Sequence, residues 1–201
     1  CRYFSYFRGM IRLSLVIPTH NRAEQLLVAL RSVVRQSADP ASWECVVVNN
    51  ASTDDTEERF AAFAAEHAGI NLRMVFEPEP GVSHARNRGL SESRADLLAW
   101  IDDDERIGEH FIAAYLDFFD AYPGASVAGG RIVAEYPKGR PRWMSKYAEM
   151  PVANPMDFGP AVRPFPLGRV PGGGNMAFRR SLAMRYGGFD VALGRVGREL
   201  I

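Results

Sequence analysis

The sequence predicts an α/β fold, a three-layer sandwich with a mostly parallel central sheet, and three observations carry that expectation. Four short apolar runs, at residues 13–17, 44–48, 72–76 and 97–101, have the length of strands. Amphipathic patterns of helical period separate them, and parallel neighbours need crossovers of that kind, which run right-handed. Finally, the runs close in polar residues, so successive loops gather at the carboxyl edge of the sheet, where open α/β sheets bind ligands.

Taken in order, residues 13–17 (Leu-Ser-Leu-Val-Ile) read as a buried strand closed by Pro18, Thr19, His20 and Asn21. Asn21 followed by Glu24 has the form of a capping box, and Leu26, Leu27, Leu30, Val33 and Val34 give the helix behind it an apolar face. Asp39-Pro40 interrupts before the second strand, which ends in Asn49, Asn50 and a turn through Asp55. Phe60, Phe63 and Ala64 mark the next helix. Leu72, Met74 and Phe76 alternate as a third strand until Glu77-Pro78-Glu79-Pro80-Gly81 stops it, and Ser83 is expected to cap a helix carrying His84, Arg86, Asn87 and Arg88. The fourth strand runs into four consecutive acids, Asp102, Asp103, Asp104 and Glu105.

Beyond the acids, Phe111, Ile112, Tyr115, Leu116 and Phe119 outline a helix that Tyr122-Pro123-Gly124 ends. Residues 126–135 read as a strand broken at Gly129-Gly130. From 136 to 171 prolines and isolated aromatics follow no period, a texture of lids and binding loops. Gly172, Gly173 and Gly174 then precede a strand over 175–180, a short helix over 182–186, and Gly187-Gly188-Phe189-Asp190.

The 201 residues, 47% hydrophobic and 24% charged, suit one globular domain with a sizeable core. Lys+Arg and Asp+Glu balance at 24 each, which argues against nucleic acid as a partner. Cys1 and Cys45 make no disulfide framework, and no apolar run spans a bilayer or marks a secretory signal, so a cytoplasmic setting is expected. Met10 stands just before the first strand, and residues 1–12 are read as an extension or fragment. An interfacial anchor built from Tyr3, Phe4, Tyr6 and Phe7 with Arg2 and Arg8 is the less favoured reading.

Three loops therefore share one edge: His20-Asn21-Arg22, residues 49–55 and residues 102–105. Four adjacent carboxylates repel one another unless a cation relieves them, whereas the same acids could simply open a helix near Glu109; on the residues alone both readings stand. Asp102 and Asp104 have the spacing to share one Mg²⁺ or Mn²⁺ that bridges phosphates. Neither a P-loop with its lysine nor a G-x-G-x-x-G after a strand is present, so a metal is expected to carry more of the phosphate charge. A phospho-acceptor receiver would want an acid pair where Pro18-Thr19-His20-Asn21 stands. Asn49 and Asn50 suit a turn or a ligand, and His20 a local cap or a stacked base. Residues 172–174 suit a turn or a close backbone approach, and Trp143 a pin to the core or a stacking platform.

As a set, residues 16–22, 46–54, 81–89, 101–105, 174–180 and 188–190 resemble family 2 glycosyltransferases, over about residues 13–190. The resemblance implies a GT-A, Rossmann-like sandwich. It also implies transfer of a sugar from a nucleotide diphosphate sugar to an acceptor hydroxyl, inverting and dependent on Mn²⁺ or Mg²⁺, in polysaccharide or cell-envelope glycan synthesis. Position by position, Pro18, Thr19 and His20 would line the base and ribose, Asn49 would meet the base, and Arg22 and Arg86 would contact the nucleotide. Asp102 and Asp103 would belong to the donor site, Asp104 with Asp102 to the metal, and Gly173, Gly174, Asn175 and Trp143 to the acceptor side.

On this resemblance residues 13–135 form the nucleotide-sugar half, and residues 136–201 an acceptor half cut short at its carboxyl end. The acceptor is expected to be a glycan or a lipid-linked molecule, met in the cytoplasm or peripherally at the inner face of a membrane. Two departures stand out: the family usually has an acid where Asn49 stands and often an aromatic at His20. Its Glu-Asp base pair, expected shortly after Asp190, is missing, and Glu199 is not taken for it. The general base is therefore expected beyond Ile201, with a non-catalytic nucleotide-sugar-binding remnant as the alternative.

Overall fold

A computed structural model describes residues 10–136, 139–193, 195, 196, 199 and 200. The readings of residues 1–9 and of Ile201 lie outside the described residues, and so does the Glu199 side chain. Six strands form one sheet: β1 (Leu13–Thr19), β2 (Trp43–Asn50), β3 (Leu72–Glu77), β4 (Leu97–Trp100), β5 (Val127–Gly129) and β6 (Met176–Arg179). Their order is β3-β2-β1-β4-β6-β5, with β3, β2, β1 and β4 parallel and β6 antiparallel to both of its neighbours. The chain moves outward from β1 to β2 and β3, then returns to β1's other side at β4. That reversal opens a crevice between the carboxyl ends of β1 and β4.

Helices cover both faces, because the central strands present apolar side chains in both directions. Leu13, Leu15, Ile17, Cys45, Val47, Ala99 and Ile101 pack with α1 (Ala23–Val33), α2 (Thr56–Glu66) and α4 (Phe111–Ala121). On the other face Val16, Val46, Val48, Leu98 and Trp100 meet α3 (Val82–Glu92), Phe178 and α6 (Arg180–Arg185). The α3 helix lies very close to the sheet: a Cβ on Gly89 would stand 2.3 Å from Val16 Cγ1. Beyond α6, β7 (Arg195–Val196) and β8 (Glu199–Leu200) pair as a short hairpin. Among the described residues no helix is long and apolar enough to cross a membrane.

Several local expectations give way to tertiary contacts. Asn21 and Glu24 form no capping box: Arg22 is the residue before α1, and Asn21, at φ 52°, accepts from the backbone N–H of Thr53 and Asp54 instead. Ser83 lies inside α3 behind Gly81, and its hydroxyl donates to the Leu193 carbonyl. The strand expected over 126–135 stops at Gly129, and past it Ile132 pairs alone with Met156. Within the supposedly irregular segment, α5 (Lys146–Ala153) is capped by Ser145 and closed by Asn154 in a left-handed conformation. Eight residues are too few to display a period.

The amino end of the sheet is fastened by Glu44, which is fully buried at the start of β2. Its Oε1 accepts from Ser14 Oγ at 2.7 Å and Arg94 N at 2.8 Å, and its Oε2 from Arg73 Nε at 2.9 Å. Burial pushes this carboxyl up, but the hydrogen bonds from Arg73, Ser14 and Arg94 outweigh it and hold the group below the usual glutamate range. Glu44→Ala removes the carboxylate that Ser14, Arg94 N and Arg73 Nε share, leaving Arg73 only Glu92, and should cost about 3–5 kcal/mol in urea unfolding. In the parent chain this group's contribution should be full above the ordinary glutamate pKa and be lost as pH falls through its depressed folded value.

Candidate functional site

The crevice at the strand reversal is organised around Asp103, only 5% exposed in the turn after β4. Thr19 Oγ1, at the end of β1, donates to Asp103 Oδ2 at 2.8 Å. Arg22 Nη1 donates to Asp103 Oδ1 at 2.8 Å and to Asp104 Oδ2 at 3.0 Å. The four acids are thus a turn at the sheet edge and not the start of a helix, since α4 begins only at Phe111. Burial raises the Asp103 carboxyl against the opposing pull of Arg22 and Thr19, while its hydrogen bond raises the Arg22 guanidinium.

Asp102 and Glu105 form the second half of the acidic edge. Burial raises Asp102, Arg86 opposes it, and the charges of Asp104 and Asp103 add to the rise. Glu105 Oε2 accepts from Asp102 N at 3.0 Å. Burial, helped by the charges of Asp102 and Asp104, pushes the Glu105 carboxyl up to about 8. Carboxyls held above their ordinary range are groups that a cation would return to the ionised form. Asp102, Asp104 and Glu105 offer the hard oxygen donors that Mg²⁺ or Mn²⁺ prefers. Among the described residues no ready cluster of three or more acids, histidines or cysteines has metal-holding geometry, and Arg22 occupies Asp104.

Basic and aromatic groups close the crevice from the α3 side. Arg86 Nη2 lies 3.7 Å from Asp102 Oδ1, its Nε is buried with no hydrogen-bond partner, and its guanidinium sits 5.6 Å from the Phe189 ring centre. Asn87 fixes that ring by a two-point amide pairing, donating to the Phe189 carbonyl at 2.8 Å and accepting from its N–H at 2.7 Å. Gly187 and Gly188, at φ 80° and 83°, make the turn that allows it.

Gly173 and Gly174 serve close approach. A Cβ on Gly173 would stand 2.8 Å from Arg86 Nη2, and one on Gly174 only 1.9 Å from Glu105 Oε1. The neighbouring Asn175 accepts from Tyr115 Oη at 2.6 Å and donates to the Arg131 carbonyl at 2.9 Å.

Other candidates take up structural duties at the rim. His20 is exposed; its Nδ1 donates to the Asn50 carbonyl at 2.6 Å, leaving Nε2 to accept from Asn21 at 3.3 Å. Asn49 is 3% exposed and accepts from Ser52 N, which is the turn role. Asn50 anchors the loop before α3, accepting from Gly81 N and donating to the carbonyls of Glu77 and Glu79. Pro18 pairs with Val48 beside the crevice. Trp143 is 75% exposed and so does not pin its loop to the core.

Sequence reasoning placed Glu105 on the acidic edge with the three aspartates but gave it no donor, metal or acceptor role. Tyr115 read only as a core residue of α4, and Asn87 and Phe189 carried no sign of their pairing across 102 residues.

Comparison with known proteins places this geometry in context. Residues 14–187 match the family described as Glycosyl transferase family 2. The glycosyltransferase AglE of Haloferax volcanii is 30% identical over 127 residues, 63% of this chain and 41% of the relative. A glucosyl-dolichyl phosphate glucuronosyltransferase of the same organism is 25% identical over 192 residues, 93% of this chain and 58% of the relative. Among solved structures, mannosyltransferase PcManGT from Pyrobaculum calidifontis, in complex with GDP-Man and Mn²⁺, superposes with a TM-score of 0.68 at 24% identity. That match covers 92% of this chain and 49% of the other. S. aureus TarS gives 0.67 at 19% identity, covering 89% and 50%. The chain spans about half the length of these proteins.

The raised Glu105 carboxyl makes a pH prediction. The folded chain keeps a proton that the unfolded chain releases above the ordinary glutamate pKa, so stability should fall as pH rises from about 4.5 towards about 8. The slope from this one group should be at most about 1.4 kcal/mol per pH unit. Urea midpoints across that range should show the decline in the parent chain and a flatter profile in Glu105→Gln.

Proposed function

The chain belongs to glycosyl transferase family 2, and from that premise we propose that it moves a sugar from a nucleotide diphosphate sugar to an acceptor hydroxyl in the building of a cell-envelope glycan. The observation that carries the reading is the crevice itself. Strand ends from both sides of the sheet reversal converge on Asp103, with Asp102 and Asp104 at the rim and Arg86 across from them. PcManGT and TarS, which share the GT-A fold, have been solved with GDP-Man and with UDP-GlcNAc, and that supports a nucleotide sugar as the donor here.

Residues 13–135 serve the donor in this scheme. Pro18, Thr19 and His20 border the base and ribose, with Asn49 shaping the adjoining turn. Arg86 faces the diphosphate, and its unpaired buried Nε is the donor that a phosphate oxygen would satisfy. Asp104 and Asp102 would hold Mn²⁺ or Mg²⁺, which supplies positive charge to the departing diphosphate. Arg22, which pairs with Asp104 at 3.0 Å, would give up that carboxylate to the metal and add its own charge to the pocket. Asp103 stays bound to Thr19 and keeps the turn in place.

Residues 136–201 serve the acceptor, with Gly173, Gly174 and Asn175 forming the wall beside Glu105 and Trp143 further out. An acceptor hydroxyl would attack from the side opposite the departing diphosphate and give its proton to a carboxylate base, a role that no residue described here is assigned, so the sugar's configuration inverts. A lipid-linked acceptor, met at the cytoplasmic face of a membrane, is the reading supported by the relative named as a glucosyl-dolichyl phosphate glucuronosyltransferase, which matches along 93% of this chain.

Calorimetric titration of GDP- and UDP-sugars, with and without Mn²⁺, tests the donor reading. Mn²⁺ should tighten binding of the preferred donor by about tenfold or more in the parent chain, equivalent to about 1.4 kcal/mol. That gain should vanish in Asp104→Ala, and a gain that survives the substitution overturns the assignment of the metal.

A further inference from the structure

A second concavity lies on the other side of the Gly174–Asn175 wall. It measures about 900 Å³, within the roughly 300–1,000 Å³ of small-molecule sites, between α4, β5 and residues 156–165. Phe118 and Tyr122 of α4, Val127 of β5, and Phe158, Val162 and Phe165 of the overlying segment supply its apolar lining. The segment is a built roof. Phe158 and Phe165 meet edge to face at 5.6 Å, and Phe165 lies so near β5 that a Cβ on Gly129 would stand 2.9 Å from its Cζ. Asn175 and Gly130 line the end nearest the acidic edge, one residue from the Gly174 that touches Glu105.

We propose that this cavity holds the hydrocarbon tail of a lipid-phosphate-linked sugar, whose free hydroxyl is the acceptor on which the chain acts. The inference rests on the glycosyltransferase reading and names the acceptor class for it. Its chemistry is wrong for a buried sugar. Hydroxyls taken out of water need partners, and here Tyr115 and Asn175 are spent on each other.

Among the described residues the charged lining consists of Arg131 and Arg163, with no carboxylate. Arg131 is paired with Asp157 at 2.9 Å, whereas Arg163 lies over the Phe158 ring at 5.8 Å and makes no ion pair among the described residues. An apolar chamber with guanidinium groups in its lining and continuity with the transfer site matches a molecule with a hydrocarbon tail and an anionic phosphate. A second copy of this chain would have to supply an apolar projection and an anion together.

Farnesyl phosphate, farnesol and inorganic phosphate titrated into the chain by calorimetry test the proposal. Val162 and Val127 are 64% and 42% exposed, so an aspartate at either charges the cavity without opening the core. Farnesyl phosphate should bind the parent chain, and Val162→Asp and Val127→Asp should each weaken it by about tenfold or more. Arg163→Ala should weaken farnesyl phosphate while leaving farnesol unchanged, and inorganic phosphate alone should show no comparable affinity.

Undiminished binding in both aspartate variants overturns the tail site. So does self-association of the parent chain that Val162→Asp abolishes with no farnesyl phosphate bound, which gives the cavity to a second copy. Nucleotide-sugar binding measured on the same proteins separates the two readings. A parent chain that binds the donor with Mn²⁺ but no farnesyl phosphate refutes the tail site and leaves the donor site standing, whereas failure to bind any donor refutes the premise.

Discussion

The hydrogen bonds that Asp103 accepts from Thr19 and Arg22 tie the end of β1 to the turn after β4, and the rest of the site depends on that tie. A parallel sheet leaves the carboxyl ends of its strands unconnected to one another, because each strand leads into its own crossover. At the reversal between β1 and β4 nothing covalent bridges the gap. A buried carboxylate with two donors does so, and it turns its neighbours Asp102 and Asp104 outward to the rim. The cost of burying Asp103 is visible in its raised carboxyl, and the paired guanidinium and hydroxyl are what offset it.

The opposite wall is assembled through α3, which links three distant parts of the chain. Its glycine lets it settle on Val16 of β1, its Asn87 captures the backbone of Phe189, and its Arg86 reaches Asp102. The glycines at 173 and 174 complete the enclosure from the antiparallel side of the sheet, where any side chain would collide with Arg86 or Glu105. Small residues here act by making room for charged ones. An Arg pressed between an aromatic ring and a carboxylate, with one N–H still unpaired, is a group held ready for an anion.

The same wall separates two chemistries. On one side stand carboxyls whose protonation is favoured by burial and mutual repulsion, opposed at Asp102 by Arg86 and Arg22 and at Glu105 by Arg86. On the other, the roof of residues 156–165 covers apolar surface of α4 and β5. Asn175 belongs to both, since its side chain is locked by Tyr115 while its backbone continues from Gly174. A polar, acidic edge and an apolar chamber one residue apart are what the proposed pair of substrates, a nucleotide sugar and a lipid-linked acceptor, would require.

The layers of the fold were legible because they rest on periodicity: continuous apolar runs for strands buried on both faces, helical spacing between them, and polar loops at one edge. Asp102, Asp103 and Asp104 were legible for the same reason, as a local run at a strand end. What the residues did not reveal is direction and partnership. Asp103 was read as one of several acids facing a donor, yet it is the buried fastening, and Asn49 turned inward to hold a loop. Asn21 and Ser83 had the spacing of helix caps, but long-range partners at Thr53, Asp54 and Leu193 claimed them. The sequence by itself determined which faces must be buried and which edge collects the polar loops, since both follow from side chains a few residues apart. Only the tertiary structure decided which acid is locked, which arginine meets it and where the apolar chamber lies, because those outcomes depend on groups from distant segments competing for the same hydrogen bonds and the same space.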